Sequence, residues 1–455
     1  MLAVFKTNHT IKWISVVMLI VFNSFAVIEF DPVGAVPGTK MGATRVRLEA
    51  GPNGDYHLAY VIPSATGWNS EWNQLQVNAG KVYYARYKNG KWSTPVEVGD
   101  GVPFWDLGVA GDSTGNGYVA FTNFERTHHY FATITNATEV DIEKTAETGC
   151  FEATVIFDKI GNIQYFVRTV APGTAAITMR TKKPGETAWQ TQVLPEGSNA
   201  GQKNPNFASD SKGNLYIAYR WMDGGSAERI LAYQKYDINN SRWSGTNANT
   251  RFVGASKPWS PKVFVDKNDG MHILWGGGYD RDNNVSLAIR APSGIITELD
   301  GGVVEYGWPA TMFITDNGET IVVHSSMANI QDTAAHGEVM YLINKGSSWE
   351  SNKDVDANTA IEAWGTVTGR GNEVMMAWVS EGEVKYSTSG FSIDTTDITA
   401  TNEYRKKSVQ LTNPLIRDSK SMYDIKGRVV PNTHTGWGIR TTPDKPQKKV
   451  LGLEE

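Results

Sequence analysis

Four side chains in this 455-residue sequence could act together in a reaction that removes a proton from the carbon beside a carboxylate: His128, His129, Arg220 and Tyr279. A neutral histidine accepts a proton near neutral pH. An arginine guanidinium pairs with a carboxylate through two parallel hydrogen bonds, and a tyrosine hydroxyl can protonate a leaving oxygen. Together these groups would eliminate across C4 and C5 of a uronic acid, with either histidine as base, Arg220 neutralising the carboxylate and Tyr279 as acid. This chemistry needs neither a metal nor a cofactor, and we predict none.

Eight more residues are predicted to contact the substrate, because each lies at the start of a predicted first strand or just after a predicted second strand. They are Asp106, Glu152, Arg168, Asn204, Trp221, Trp308, His324 and Glu362. Tryptophan rings stack on sugar faces, and guanidinium or amide groups bind carboxylates and hydroxyls. The alternative for each tryptophan is packing between sheets, and the alternative for each histidine is an ordinary position in a strand.

A pattern of two apolar runs joined by a glycine-containing turn occurs seven times, as in WDLGVAGDSTGNGYVAF (105–121) and NPNFASDSKGNLYIAY (204–219). The turn glycines lie 46 to 61 residues apart and are Gly54, Gly115, Gly161, Gly213, Gly270, Gly318 and Gly371. That spacing is typical of β-propeller blades. The sequence therefore predicts an all-β fold, a seven-bladed β-propeller of four-stranded antiparallel blades, in which the mature N-terminus or the last repeat completes a blade.

The predicted propeller also explains why the candidate residues belong together. The glycine turns lie on one face of such a fold. The starts of the first strands and the loops after the second strands lie on the opposite face, around the central channel, where ligands bind.

Three segments are predicted along the chain: a signal peptide (1–35), the propeller (36–394) and a C-terminal extension (395–455). Lysines precede an apolar run at residues 14–28, and small residues at 33–35 fit cleavage before a mature start near Val36. The alternative is an uncleaved anchor. In the extension, Tyr423, Asp424, Gly427 and Arg428 resemble the tail of type IX secretion substrates, and the alternative is a docking segment. We therefore expect a protein that is secreted or on the cell surface of a Gram-negative bacterium, with no membrane span in its mature form.

The composition limits the kinds of molecule that this protein is expected to bind. A formal net charge of −5 gives no electrostatic basis for binding nucleic acid. Cys150 is the only cysteine, so no disulfide forms within the chain. We expect a monomer whose partner is a polysaccharide or oligosaccharide.

Two resemblances refine this expectation. Segments such as VYYARYKNGKWS (82–93) and EVMYLINKGSSWES (338–351) resemble the bacterial neuraminidase repeats of sialidase-like propellers. The segment 204–237 resembles the fourth bacterial-neuraminidase-repeat family, which includes propeller-type ulvan lyases, and the matching residues are Pro205, Phe207, Tyr219, Arg220 and Gly224-Gly225-Ser226. This resemblance implies that Arg220 neutralises a uronate carboxylate. Asn204 stands where the family has its catalytic tyrosine.

The favoured function is therefore a polysaccharide lyase that cleaves a uronic-acid-containing, ulvan-like polysaccharide by β-elimination. A non-catalytic glycan-binding propeller is one alternative. A glycoside hydrolase is another, with Asp106, Glu152 or Glu362 as paired carboxylates. A sialidase would need an arginine triad such as Arg45, Arg168 and Arg220, but TRVRLE (44–49) lacks the usual Arg-x-Pro opening.

Overall fold

The computed structural model contains two compact units, residues 1–398 and 399–455. The residues that it describes are 28, 30–40, 42–69, 74–100, 107–123, 127–146, 149–171, 174–194, 203–222, 229–244, 259–276, 287–299, 310–327, 337–346, 348–350, 353–356, 362–390, 422–423 and 429–430. Among these residues, none lies in a helix long and apolar enough to cross a membrane. In the second unit, Met422–Tyr423 pairs antiparallel with Val429–Val430.

The first unit is a seven-bladed β-propeller of antiparallel sheets, which confirms the predicted fold class. We number the blades 1 to 7 from Thr44. The first, innermost strands are Thr44–Ala50, Leu107–Gly111, Cys150–Phe157, Lys203–Ser209, Trp259–Val265, Thr311–Ile314 and Glu362–Arg370. The second strands are Tyr56–Asn69, Gly117–Thr122, Ile163–Ala171, Leu215–Met222, Met271–Gly276, Thr320–Met327 and Glu373–Ser380.

The outer strands complete each blade. The third strands are Gln74–Lys88, His128–Thr135, Thr174–Lys182, Arg229–Asp237, Leu287–Arg290, Gly337–Asn344 and Glu383–Ser389. The fourth strands of blades 2 to 6 are Glu139–Ala146, Gln190–Val193, Arg242–Trp243, Ile296–Leu299 and Lys353–Asp354. Blade 1 has its fourth strand in two pieces, Lys91–Trp92 and Val96–Asp100, and Pro95, which has no N–H to donate, lies between them.

The core lies between the blades. Second strands are central in their sheets and have a neighbouring blade on each side, so they are apolar almost without interruption. Gly117–Thr122, for example, is buried at every position. Apolar side chains from adjacent blades meet in clusters, such as the one that joins Tyr84 of blade 1 to Phe121 of blade 2.

The turns between first and second strands repeat one local structure in blades 2 to 5. An aspartate Oδ1 accepts the backbone N–H groups two and four residues further on, and these aspartates are Asp112, Asp158, Asp210 and Asp266. Six of the seven predicted turn glycines have φ between 62° and 92°. The exception is blade 5, where Asp269 takes the left-handed position with φ 63° and Gly270 follows it. Gly270 therefore lies in the predicted turn, but the residue before it takes the left-handed conformation.

The fourth strand of blade 7 comes from the other end of the propeller sequence. Gly34–Ala35 pairs antiparallel with the third strand of that blade, Glu383–Ser389. Beside it, the Asp31 backbone N–H donates to the Thr388 carbonyl (2.7 Å), and the Thr388 hydroxyl donates to the Asp31 carboxylate (2.6 Å). An N-terminal strand thus closes the blade, but it lies within residues 1–35, the predicted signal peptide, and not in the predicted mature chain. Cleavage near Val36 stays a prediction, and it would remove these paired residues.

Removal of residues 1–35 is therefore expected to destabilise the propeller relative to a chain that starts at Ile28. Ile28, Phe30 and Val33 pack against the core of blades 6 and 7, and burial of the Ile28 side chain alone contributes about 2 kcal/mol. Denaturant unfolding of the two chains measures the difference in the free energy of unfolding. Equal values would show that this segment does not stabilise blade 7.

Candidate functional site

The inner strands of all seven blades surround a central channel with a volume of about 860 Å³. Three residues before the start of each turn, these strands have a buried apolar residue that belongs to the core: Leu48, Val109, Val155, Phe207, Val263, Met312 and Val367. One residue earlier, every blade has a polar or small residue, and all seven line the channel: Arg47, Gly108, Thr154, Asn206, Lys262, Thr311 and Thr366. The channel is therefore polar at this level.

We call the end of the channel at the first residues of the inner strands the channel mouth. Five inner strands contain a β-bulge there, with one extra residue relative to the second strand. The bulges lie between Thr44 and Val46, Cys150 and Ala153, Lys203 and Asn206, Trp259 and Lys262, and Ala363 and Thr366. Bulges redirect side chains and are frequent beside active sites. The local irregularity of this propeller is thus concentrated on the face predicted to bind ligands.

Two of these bulges place an aromatic ring and a cation together at the channel mouth. Trp364 has φ 63° and Arg45 has φ 52°. For residues with large side chains this left-handed conformation costs on the order of 1–3 kcal/mol. The Arg45 Cζ lies 5.3 Å from the centroid of the Trp364 ring, and Trp364 lines the channel. Neither residue was among the predicted substrate contacts, although Trp364 occupies an inner-strand opening in the repeat.

Glu152 and Arg168, both predicted to bind substrate, form an ion pair in blade 3. Arg168 Nη1 donates to Glu152 Oε2 at 2.7 Å, and the side chains are only 5% and 13% exposed. Glu152 also lines the channel. Because a buried pair is strongly destabilised when one partner is removed, each residue has a structural role beside any contact with substrate.

The adjacent histidines His128 and His129 lie in very different surroundings. His129 is fully buried, with Nδ1 3.2 Å from the Thr122 hydroxyl oxygen. Burial, with a smaller contribution from the positive charge of Arg180, lowers the pKa of His129 to about 3. His128 is partly exposed, and its Nδ1 lies 2.8 Å from the Thr127 hydroxyl oxygen. Of the two predicted bases, only His128 can reach a ligand in solution without rearrangement.

Local hydrogen bonds position His128. Asn123 Oδ1 accepts the backbone N–H groups of Thr127 (2.9 Å) and His128 (2.8 Å), which closes the loop that enters the third strand of blade 2. His324, another predicted contact, lies in the second strand of blade 6 and is fully buried. Its position is the ordinary strand position that was the alternative to a contact with substrate.

Seven predicted site residues have side chains outside the described part of the structure. Asn204, Arg220, Trp221 and Glu362 have described backbones within strands, where Arg220 pairs with Lys203 and Leu231. Asp106, Tyr279 and Trp308 lie outside the described residues altogether. Their predicted roles stay predictions.

The channel contains a charged cluster that the sequence analysis did not predict: Arg47, Glu49 and Lys262. Burial lowers the pKa of Lys262 to about 7, with Arg47 lowering it further and Glu49 acting in the opposite direction. Burial also lowers the pKa of Arg47 to about 10 and raises that of Glu49. The sequence pattern that could have indicated this cluster is the alternation of charged and uncharged residues in TRVRLE (44–49), a predicted inner strand. Within the described part of the chain, no group of three or more His, Cys, Asp or Glu residues is arranged to hold a metal ion.

Comparisons with known proteins found similar solved structures but no similar sequence. No family model and no curated protein matches this sequence. Among solved structures, the fold is similar to the polysaccharide lyase Uly1, at 8% identity and a TM-score of 0.49, over 74% of this chain and 88% of that chain. It is also similar to an α-L-arabinanase of Penicillium chrysogenum complexed with arabinobiose, at 12% identity and a TM-score of 0.43, over 62% and 92% of the two chains. A fucose-containing complex of the Aleuria aurantia lectin is 11% identical, with a TM-score of 0.45 over 70% and 97%. At these identities the similarity concerns the fold alone.

The burial of His129 predicts a specific dependence of stability on pH. The unfolded state protonates histidine below about pH 6.5, whereas folded His129 stays neutral down to about pH 3. Stability is therefore lost as the pH falls through this window, and His129 accounts for about 2 kcal/mol of the loss between pH 7 and 5. In denaturant unfolding, His129→Gln should reduce the loss by this amount.

The neighbouring variant His128→Gln is the matched control, since His128 is partly exposed, and it should keep the wild-type dependence on pH. An unchanged dependence in His129→Gln would contradict the assignment of a neutral, buried His129.

Proposed function

We propose that this protein is an exported carbohydrate-active propeller that binds an acidic polysaccharide or oligosaccharide at the channel mouth and cleaves it by β-elimination. The observation that supports this most directly is Trp364, an aromatic ring that lines the mouth in a strained backbone conformation. Export is part of the proposal because an apolar segment precedes the propeller.

Trp364 has the properties of a platform for a sugar ring. It is a flat aromatic surface at the opening of a polar channel, and the guanidinium of Arg45 is close to its ring. Residues in rare backbone conformations persist where the surrounding structure holds them, and they are concentrated at ligand sites. Trp364 also packs against the apolar cluster of blades 1 and 7, which holds its backbone in this conformation.

The charges in the channel favour an acidic ligand. Arg47 and Lys262 line it below the mouth, and both residues are half-buried. Electrostatic attraction is stronger in such surroundings than in bulk water, because the local dielectric constant is lower. A uronic acid supplies the matching carboxylate.

The proposed reaction assigns roles to three residues. His128 is the base that takes the C5 proton, since its side chain is partly exposed while that of His129 is enclosed. Arg220 neutralises the carboxylate, and Tyr279 protonates the leaving oxygen. The C5–H electron pair forms the C4–C5 double bond as the C4–O bond breaks, and the leaving oxygen receives a proton.

Loss of the Trp364 ring is expected to weaken polysaccharide binding about tenfold, because a stacked aromatic contributes on the order of 1 kcal/mol beyond its buried area. Trp364→Gly is the informative variant, since glycine adopts the left-handed conformation without strain and limits the effect on folding. Binding isotherms with a panel of uronic-acid polysaccharides measure the change. Trp189→Ala, which removes a ring packed against Phe131 in blades 2 and 3, is the control and should bind as the wild type does. Equal affinity of Trp364→Gly and the wild type would refute the platform.

The proposed reaction has a spectroscopic signature. Incubation with the same panel should produce ultraviolet absorbance from an unsaturated uronide. His128→Ala should abolish turnover while binding remains, because the proton acceptor is lost and the other contacts are kept. Arg220→Lys keeps the charge but not the planar fork, and it should lose most of the turnover.

A fully active His128→Ala variant would exclude His128 as the base. Binding by the wild type without an unsaturated product at any pH would replace the lyase with a glycan-binding propeller. Reducing ends released without the absorbance would instead identify a hydrolase.

A further inference from the structure

The middle of the channel, one level below the mouth, is a separate site from the Trp364 platform. Arg47 lies two residues beyond Arg45 in the same inner strand, which corresponds to about 7 Å along a strand. Lys262 occupies the equivalent position in blade 5, and both side chains line the channel.

The charge of Arg47 acts on Lys262. Arg47 disfavours the charged form of Lys262, so the field of one reaches the other across the channel. The charge of Glu49 has the opposing effect on Lys262. The Thr368 hydroxyl donates a hydrogen bond to Glu49 Oε2 at 3.0 Å. Lys159 adds a further positive charge near Glu49. An anion in the channel would relieve the repulsion between Arg47 and Lys262.

The uncharged groups at the same level are arranged as hydrogen-bond donors. Asn206 Oδ1 accepts the Val263 backbone N–H at 2.8 Å, so its amide hydrogens remain as the donors for a ligand. Thr311 Oγ1 accepts the Val367 backbone N–H at 2.8 Å, and its hydroxyl hydrogen remains in the same way. In both side chains, a backbone N–H of the adjacent blade thus occupies an acceptor position. The groups that remain for a ligand are the amide and hydroxyl donors and the two cations, and these groups select an anion.

We propose that the middle of the channel is a carboxylate-binding site, in which Arg47 and Lys262 balance the charge and Asn206 and Thr311 donate hydrogen bonds. Arg47 offers the planar fork that matches two carboxylate oxygens, and Lys262 acts as a point charge. The carboxylate belongs either to a free small acid or to an acidic sugar that enters from the mouth. The site does not require catalysis at the mouth.

Binding at this site should weaken as the pH rises. Lys262 changes from mostly charged to mostly neutral between pH 6 and 8, since its pKa is about 7. Glu49 has a raised pKa, so its protonation at low pH acts in the same direction. Arg47 stays charged in this range, and so does any unperturbed lysine. The remaining residues at this level have no ionisable group: Gly108, Thr154, Asn206, Thr311, Thr366 and Thr368.

The test uses calorimetric titration of the full chain with sodium glucuronate, sodium acetate and glucose at constant ionic strength, at pH 6 and pH 8. The expected result is binding of glucuronate that is roughly tenfold weaker at pH 8, and no comparable binding of glucose. Lys262→Met should lose at least about tenfold in affinity at pH 6 and should remove the dependence on pH, because it keeps the length of the side chain without the charge. Arg47→Met should lose as much.

Lys182→Met is the matched control, since Lys182 pairs with Glu143 on the outer strands of blades 2 and 3. It should bind as the wild type does. Binding of acetate as well as glucuronate would identify a general site for small carboxylates, and binding of glucuronate alone would identify a site for a sugar acid. Both outcomes support the proposal.

No binding of either acid by the wild type, equal binding of glucose, or an equal loss in Lys182→Met would overturn it. The wild-type titrations at two pH values decide the question even if a channel variant fails to fold. The polysaccharide platform is tested with polysaccharides and this site with small acids, so failure of one and failure of the other can be told apart.

Discussion

The convergence of seven inner strands on one axis is the constraint on which the rest of this structure depends. Each strand contributes a few side chains to a narrow channel, and their neighbours, such as Leu48 and Val263, must be apolar to hold the blades together. The channel therefore receives its chemistry from a small number of positions. At the middle level two of these positions, Arg47 and Lys262, are cationic, and the other five are small or polar. Burial lowers the pKa of both cations, and Arg47 contributes to the lowered pKa of Lys262.

The two ends of the channel differ in how regular their backbone structure is. At the turn end, hydrogen bonds connect neighbouring blades, for example from Arg86 Nη1 to the Gly115 carbonyl and from the Ser211 hydroxyl to the Asp269 carboxylate. These bonds and the repeated aspartate turns make that face regular. At the mouth, five of the seven inner strands are bulged, and the strained Trp364 lies there. The regular end and the bulged end of the channel are therefore structurally distinct, and the proposed ligand site lies at the bulged end.

The strand that closes the ring of blades lies just before the predicted cleavage position. A sheet edge left open in blade 7 would expose unpaired backbone groups, and Gly34–Ala35 covers it. The packing of Ile28 and the hydrogen bonds of Asp31 show that the stabilising segment begins before this strand. Cleavage near Val36 stays a prediction, and it would remove this strand and destabilise blade 7.

The sequence by itself determined the number of blades, because a turn that needs a left-handed residue recurs with a blade-length period and is local in origin. It also separated the face with the turns from the face with the strand starts, since strand order alone sets these two faces apart. Tertiary structure decided which residues on that face are accessible. His128 and His129 are neighbours in sequence, but side chains alternate along a strand, so one is partly exposed and the other is buried against blade 3. Tertiary structure also brings together residues that are distant in the sequence. Arg45 lies beside Trp364, and the charge of Arg47 acts on Lys262. No local sequence pattern specifies which blades face each other across the axis.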